Sequence, residues 1–232
     1  MGAFLFTCNW KVNLKKVTNE EKALFPEEDY TYPHASNALR EPLRSRDNRQ
    51  MQITETLYVT NRDEWRKWLS ENHAVKREIW LISYSKNSDK PSILYLHAVE
   101  EALCFGWIDG IAKKIDSERL APRFTPRRLK SNWTELNKER AKRLIQSGKM
   151  TEAGLKVLPD LSPNSFQIPK DILEVLQADV QVWNNYQRFP DVYKRIRIGY
   201  IEEVRKQPGV FQKRLENFIN KTRENKMFGT IE

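Results

Sequence analysis

Hydrophobic and polar positions divide the chain into three stretches with different periods. Residues 1–50 hold no sustained period, because Pro26, Pro33 and Pro42 interrupt every candidate element. Residues 51–165 mix periods of two and of 3.6. Thr56 to Thr60 alternates and predicts a short strand. Asn61 follows as an N-cap, with Asp63 and Glu64 in the first turn, where a helix N-terminus favours negative charge. Trp65, Trp68, Leu69 and Asn72 share one face of a helix running to about His73. The apolar, β-branched run from Glu78 to Tyr84 predicts a central strand, followed by a loop over 87–91. A second helix spans about Leu94 to Phe105, burying Ala98, Ala102 and Phe105, and Gly106 stops it. Ile111 to Ile115 and Leu120 to Thr125 predict two further short strands. Thr134 caps a third helix to Ser147, with Leu136, Ala141, Leu144 and Ile145 inward and Gly148 as its stop. Thr151 caps one more short helical segment before Pro159.

Residues 166–232 read as helical throughout, with helices at about 169–179, 181–188, 190–206 and 208–225. Pro169, Pro190 and Pro208 stand where first helical positions fall. Phe211, Leu215, Phe218 and Ile219 form an apolar stripe. The predicted class is α+β: a small mixed sheet packed with helices over 51–165, followed by a helical C-terminal subdomain over 166–232. A linker from Asp160 to Asn164 joins them.

Composition supports a folded chain. Of its 232 residues 39% are hydrophobic, with seven Trp and ten Phe. The net charge is +9 and uneven: residues 113–143 hold eleven basic and four acidic side chains. That local excess attracts anions such as nucleic acid, phosphorylated metabolites or an acidic membrane surface, or it forms a solvated helix face and basic loops. The two cysteines, Cys8 and Cys104, sit in unlike contexts and suggest no disulfide framework. Cys104, between Leu103 and Phe105, reads as a small buried hydrophobe. No run approaches the roughly 18 apolar residues of a membrane span. The apolar patch from Ala3 to Phe6 is too short for a secretory signal, and Phe6 stands where a myristoylation signal needs Ser or Thr. A cytoplasmic protein is the expectation.

The common catalytic and cofactor signatures are missing. His34, His73 and His97 have no second ligand at metal spacing, and there is no CxxC pair, so neither a metal nor a bound cofactor is expected. Gly-rich nucleotide loops and the G-x-S-x-G elbow are absent too. What remains is a polar and aromatic constellation. Asp109 follows Trp107 and Ile108 between Gly106 and Gly110, placed by the pattern just past a helix end. It suits a general acid/base or a ligand acceptor, or else it caps a turn or pairs with an arginine. Trp107 stacks on a ligand or fills the core. Arg123, Arg127 and Arg128 surround Thr125-Pro126, and arginine forks suit phosphate or carboxylate. The alternative is an ion pair with Asp109 or Asp116 that braces the fold. Ser131, Asn132 and Trp133 lead into a helix N-terminus, with Asn137 three residues past the cap. Together Trp107, Asp109, Arg123, Thr125, Arg127, Arg128, Ser131, Trp133 and Asn137 frame a candidate anion pocket. Lys86, at the end of a strand, adds a further cation or is simply solvated.

The segments Ala102-Leu103-Cys104-Phe105-Gly106-Trp107-Ile108-Asp109-Gly110, Arg123-Phe124-Thr125-Pro126-Arg127 and Ser131-Asn132-Trp133 resemble those of the YdeI/OmpD-associated, or bacteriocin-protection, proteins of bacteria. The resemblance begins at about Glu55. Residues 1–50 are therefore expected to be either a poorly ordered extension or an upstream segment that is not native, with Met51 as the natural start. It also implies a helical subdomain after the mixed one, and a role in tolerance of bacteriocins or antimicrobial peptides through binding of a ligand or partner. Two further readings stand beside it. One is an enzyme or receptor for an anionic small molecule using Asp109 and the arginines; the other is nucleic-acid binding through 113–143, which requires its basic side chains to face outward on one surface. The pattern does not decide whether any catalysis occurs or which oligomer forms.

Overall fold

The computed structural model describes residues 52–85, 88–129, 131–162 and 165–229. The expectations for residues 1–50, Met51 and Lys86 lie outside these.

Four strands and eight helices follow in order along the described chain: β1 (Thr56–Tyr58), α1 (Arg62–Asn72), β2 (Ile79–Tyr84), α2 (Tyr95–Cys104), β3 (Trp107–Lys114), β4 (Arg119–Pro126), α3 (Glu135–Gln146), α4 (Glu152–Leu155), α5 (Lys170–Gln177), α6 (Val180–Arg188), α7 (Asp191–Glu202) and α8 (Pro208–Arg223). The protein is α+β, with a mixed sheet first and helices alone after it.

Local chemistry sets most boundaries. Asn61 is extended and its side chain accepts from the N–H groups of Asp63 and Glu64 at 3.1 and 3.0 Å. Glu64 reaches back to the Thr60 N–H at 2.8 Å, so two side chains satisfy three backbone N–H groups at the start of α1. Thr134 accepts from the Asn137 N–H at 3.1 Å and starts α3. Pro208 occupies the first turn of α8, whereas Pro169 and Pro190 are the caps that precede α5 and α7. Their backbones are extended, which a proline ring allows and a helical position does not require.

The sheet order is β1-β2-β4-β3. β1 and β2 run parallel with α1 as their crossover, and the other neighbours are antiparallel. Trp107 to Gly110 extend β3 four residues earlier than the Ile111 to Ile115 strand that the pattern predicts. Glycines 106 and 110 look like turn punctuation, yet the ladder with β4 starts at Trp107 paired with Pro126 and overrides them. A register shift between Asp109 and Ala112 marks a bulge in β3. Pro122 of the interior strand β4 pairs at that shift, with Ala112, where the ladder is already broken and its missing N–H costs least.

One core lies between the sheet and α1–α3 and centres on Trp65, Leu69, Leu81, Trp107 and Phe124. Trp65 is fully buried, and its indole N–H donates to the Ala98 carbonyl at 3.0 Å. α3 turns Ala141 and Leu144 inward as expected, but Ile145 faces solvent and Glu135 and Arg140 are buried instead. Glu135 is withdrawn because α3 also packs on α7. There Arg195 reaches Glu135 at 3.1 Å and Glu139 at 2.5 Å. Gly199 of α7 lets the Glu135 side chain in: a Cβ there would lie 2.8 Å from the Glu135 Cγ. A second core, within α5–α8, gathers Ile172, Tyr186, Tyr193 and Phe218.

Candidate functional site

The ends of five elements meet at one corner of the sheet. Gly106 joins α2 to β3 with φ +72°, a conformation that side chains other than glycine rarely adopt. A Cβ at Gly106 would lie 2.7 Å from the Ala153 carbonyl oxygen, so the close approach of α4 also needs glycine. Thr151 fixes α4 there, its hydroxyl donating to the Cys104 carbonyl at 2.6 Å and its N–H to the same oxygen at 3.0 Å. The Arg127 N–H donates to the Gly106 carbonyl at 2.8 Å, continuing the β3–β4 ladder by one step.

These contacts frame an open cleft of about 630 Å³. Its walls include Phe105, Trp107, Pro126, Ala153 and Val157, and its charged side chains are Arg127, Glu152 and Lys156. His73 contributes from the C-terminal end of α1, with Nδ1 2.9 Å from the Leu69 carbonyl and its ring against Phe105. Trp107 is held by its indole N–H, which donates to the His73 carbonyl at 3.1 Å.

Arg127 is the unusual group in the cleft. It is 7% exposed, and among the described residues no carboxylate pairs with it. Its guanidinium stacks on Trp133 at 3.8 Å. Nη1 donates to Ser131 Oγ at 3.2 Å and to the Asn132 carbonyl at 3.0 Å, while the buried Nε has no acceptor. Burial disfavours the cation and lowers its pKa to about 10, with the charge of Asp109 acting in the other direction. Asp109 itself accepts from the Tyr95 hydroxyl. A buried cation whose donors are only partly used is costly unless another group completes it.

The structure brings together Trp107, Arg127, Ser131 and Trp133, with Asp109 close enough to act on Arg127 electrostatically. It does not bring in the others. Strand alternation turns Arg123 and Thr125 to the sheet face opposite Phe124. Arg123 does brace the fold, but its partner is Glu78, reached by Nε at 2.7 Å, not Asp109 or Asp116. Hydrogen bonds from Thr54 and from Arg123 hold the Glu78 carboxyl below its usual range. Asp116 pairs with Arg119. Arg128 is exposed, and Asn137 gives its N–H to the Thr134 cap and accepts from Arg140 at 3.1 Å. His73, Thr151, Glu152 and Lys156 belong to the cleft and carry no local signal that would have singled them out.

The basic excess of 113–143 is spread over several environments. Arg119, Arg123 and Lys138 are paired with acidic groups, and Arg127 and Arg140 are buried. Cys104 is also buried, and desolvation pushes its thiol up to about 11. Among the described residues no group of His, Cys, Asp and Glu is placed to hold a metal ion, and no helix is long and apolar enough to cross a membrane.

Two family models match the chain, one after the other. Residues 57–157 match a domain of unknown function (DUF8412). Residues 165–225 match the family described as bacteriocin-protection, YdeI or OmpD-associated. The chain carries a YdeI/OmpD-associated domain. That domain is the helical part, α5 to α8, whereas the motifs around Gly106 and Arg127 and the whole cleft fall inside the first match. No curated protein and no solved structure matches the chain.

Proposed function

We propose that the protein binds a small anion in the cleft at Arg127, as a receptor-like domain whose helical YdeI/OmpD-associated partner braces it. The observation that carries this reading is Arg127 itself, a buried arginine on a cleft wall with no carboxylate among the described residues and an unused Nε. A bound anion balances the Arg127 cation in a site of low dielectric, where a charge-assisted bond is strong. We set this binding in bacteriocin protection, a reading that the description of the family matched at 165–225 supports, with the cleft sensing or holding a metabolite and not the toxin. A basic protein repels cationic peptides, so an indirect role fits its net charge of +9.

A thermal-shift series with acetate, benzoate and inorganic phosphate, on the full chain and on Arg127→Gln, tests the reading. At least one anion raises the melting temperature of the parent and leaves the variant unmoved. If no anion does so, or if the folded variant responds as the parent does, the cleft is not an anion site.

A further inference from the structure

Resting on that reading, we infer that the ligand is a monocarboxylate carried on a flat apolar body, such as an aromatic acid, and not a phosphate. Three features of the cleft converge on this class. The first is its lining. Phe105, Trp107, Pro126, Ala153 and Val157 give it largely apolar walls, and about 630 Å³ is far more room than a bare oxyanion fills. The second is charge. Arg127 and Lys156 contribute two cations against Glu152 and the nearby Asp109, a balance that penalises the second charge of a phosphate.

The third is the geometry of Arg127. One face of its guanidinium lies on Trp133 and Nη1 is committed to Ser131 and Asn132. Nε is sealed from water, which leaves Nη2 as the donor open to a ligand. A carboxylate meets that donor with one oxygen, whereas a phosphate aims its further charged oxygens at apolar walls with no donors. The ring of the ligand then lies against Pro126, Ala153 and Val157, the apolar walls that water reaches, and displaces water from them. Thr151 offers no alternative anchor, because its hydroxyl and N–H are both engaged with Cys104.

Calorimetric titration of the full chain with benzoate, acetate, benzyl alcohol and inorganic phosphate separates the terms. Benzoate binds at least ~10-fold more tightly than acetate, benzyl alcohol or phosphate, since body and charge each contribute. Arg127→Gln abolishes the preference for benzoate over benzyl alcohol. Ala74→Trp, at an exposed position on the rim, weakens benzoate several-fold without touching Arg127 and serves if the arginine variant does not fold. Phosphate or acetate binding as well as benzoate overturns the ligand class and leaves the anion site standing. Benzyl alcohol matching benzoate overturns the role of the carboxylate. Binding of none of the four overturns both this inference and the anion reading.

Discussion

Arg127 in the sheet-bearing half and Arg195 in the helical half are both withdrawn from water, yet they are satisfied in opposite ways. Arg195 lies on α7 between Glu135 and Glu139 of α3, and the three charged groups close the joint between the two halves. Arg127 stacks on Trp133, uses one nitrogen for Ser131 and Asn132, and meets no carboxylate among the described residues. The first arrangement suits a brace, since removing either partner leaves a charge uncompensated. The second suits a site, since the missing partner can arrive from solution. The half whose family description carries a biological word is the one with the closed core of Tyr186, Tyr193 and Phe218. The cleft belongs to the other half.

Breaking that comparison begins with the core that positions the cleft. Trp65→Ala removes a fully buried indole and its bond to Ala98 and is expected to cost about 3–5 kcal/mol, measured by urea unfolding. If the α3–α7 joint couples the halves, the variant still melts in one transition; two separate transitions would show that Arg195 braces nothing. Arg195→Met is expected to cost about 2–3 kcal/mol, because Glu135 and Glu139 lose their shared cation inside the joint. Thr134→Ala removes the cap of the helix that carries both acids and loses about 1 kcal/mol in the same assay.

Arg127→Met is expected to behave in the opposite sense to Arg195→Met. It relieves an incompletely satisfied buried cation, so stability stays level or rises by about 1 kcal/mol while anion binding is lost. Should it cost as much as Arg195→Met, Arg127 would be a brace and the contrast would fall. The smallest effect is in pH. Burial lowers the pKa of Arg127, so the folded chain gives up that proton before the unfolded chain does. Its cation is present at neutral pH and is lost as pH rises through about 10. Carboxylate affinity therefore falls across that window, while loss of the proton does not itself destabilise the ligand-free fold.

Much of the fold was legible because its signals are local. Asn61, Thr134 and Thr151 announce helix starts through side chains that reach backbone N–H groups two or three residues on. The start of β3 was not legible. Trp107 to Gly110 carry helix-stop and turn chemistry, and only pairing with Phe124, Thr125 and Pro126 of β4 makes them a strand. At the candidate site, the aromatic and arginine content around Trp107, Arg127 and Trp133 stands out in the chain, but the separation of Arg123 from Arg127 does not. Both flank the same Thr125-Pro126 step. The alternation of β4 turns Arg123 to the far face, while Arg127 lies past the end of the strand.

The amino-acid sequence by itself determined the class, the caps and the apolar faces, because these depend on neighbours within one or two turns. It also determined that this chain carries an excess of positive charge and a cluster of arginines beside tryptophans. Only the tertiary structure decided which arginine is neutralised. Glu78 reaches Arg123 from 45 residues away, and Glu135 and Glu139 reach Arg195 from another half of the molecule. His73, Trp107 and Lys156 likewise become one wall only when α1, β3 and the end of α4 pack at the same corner. Ion pairing and enclosure depend on distance in space, and a one-dimensional pattern holds no record of that distance.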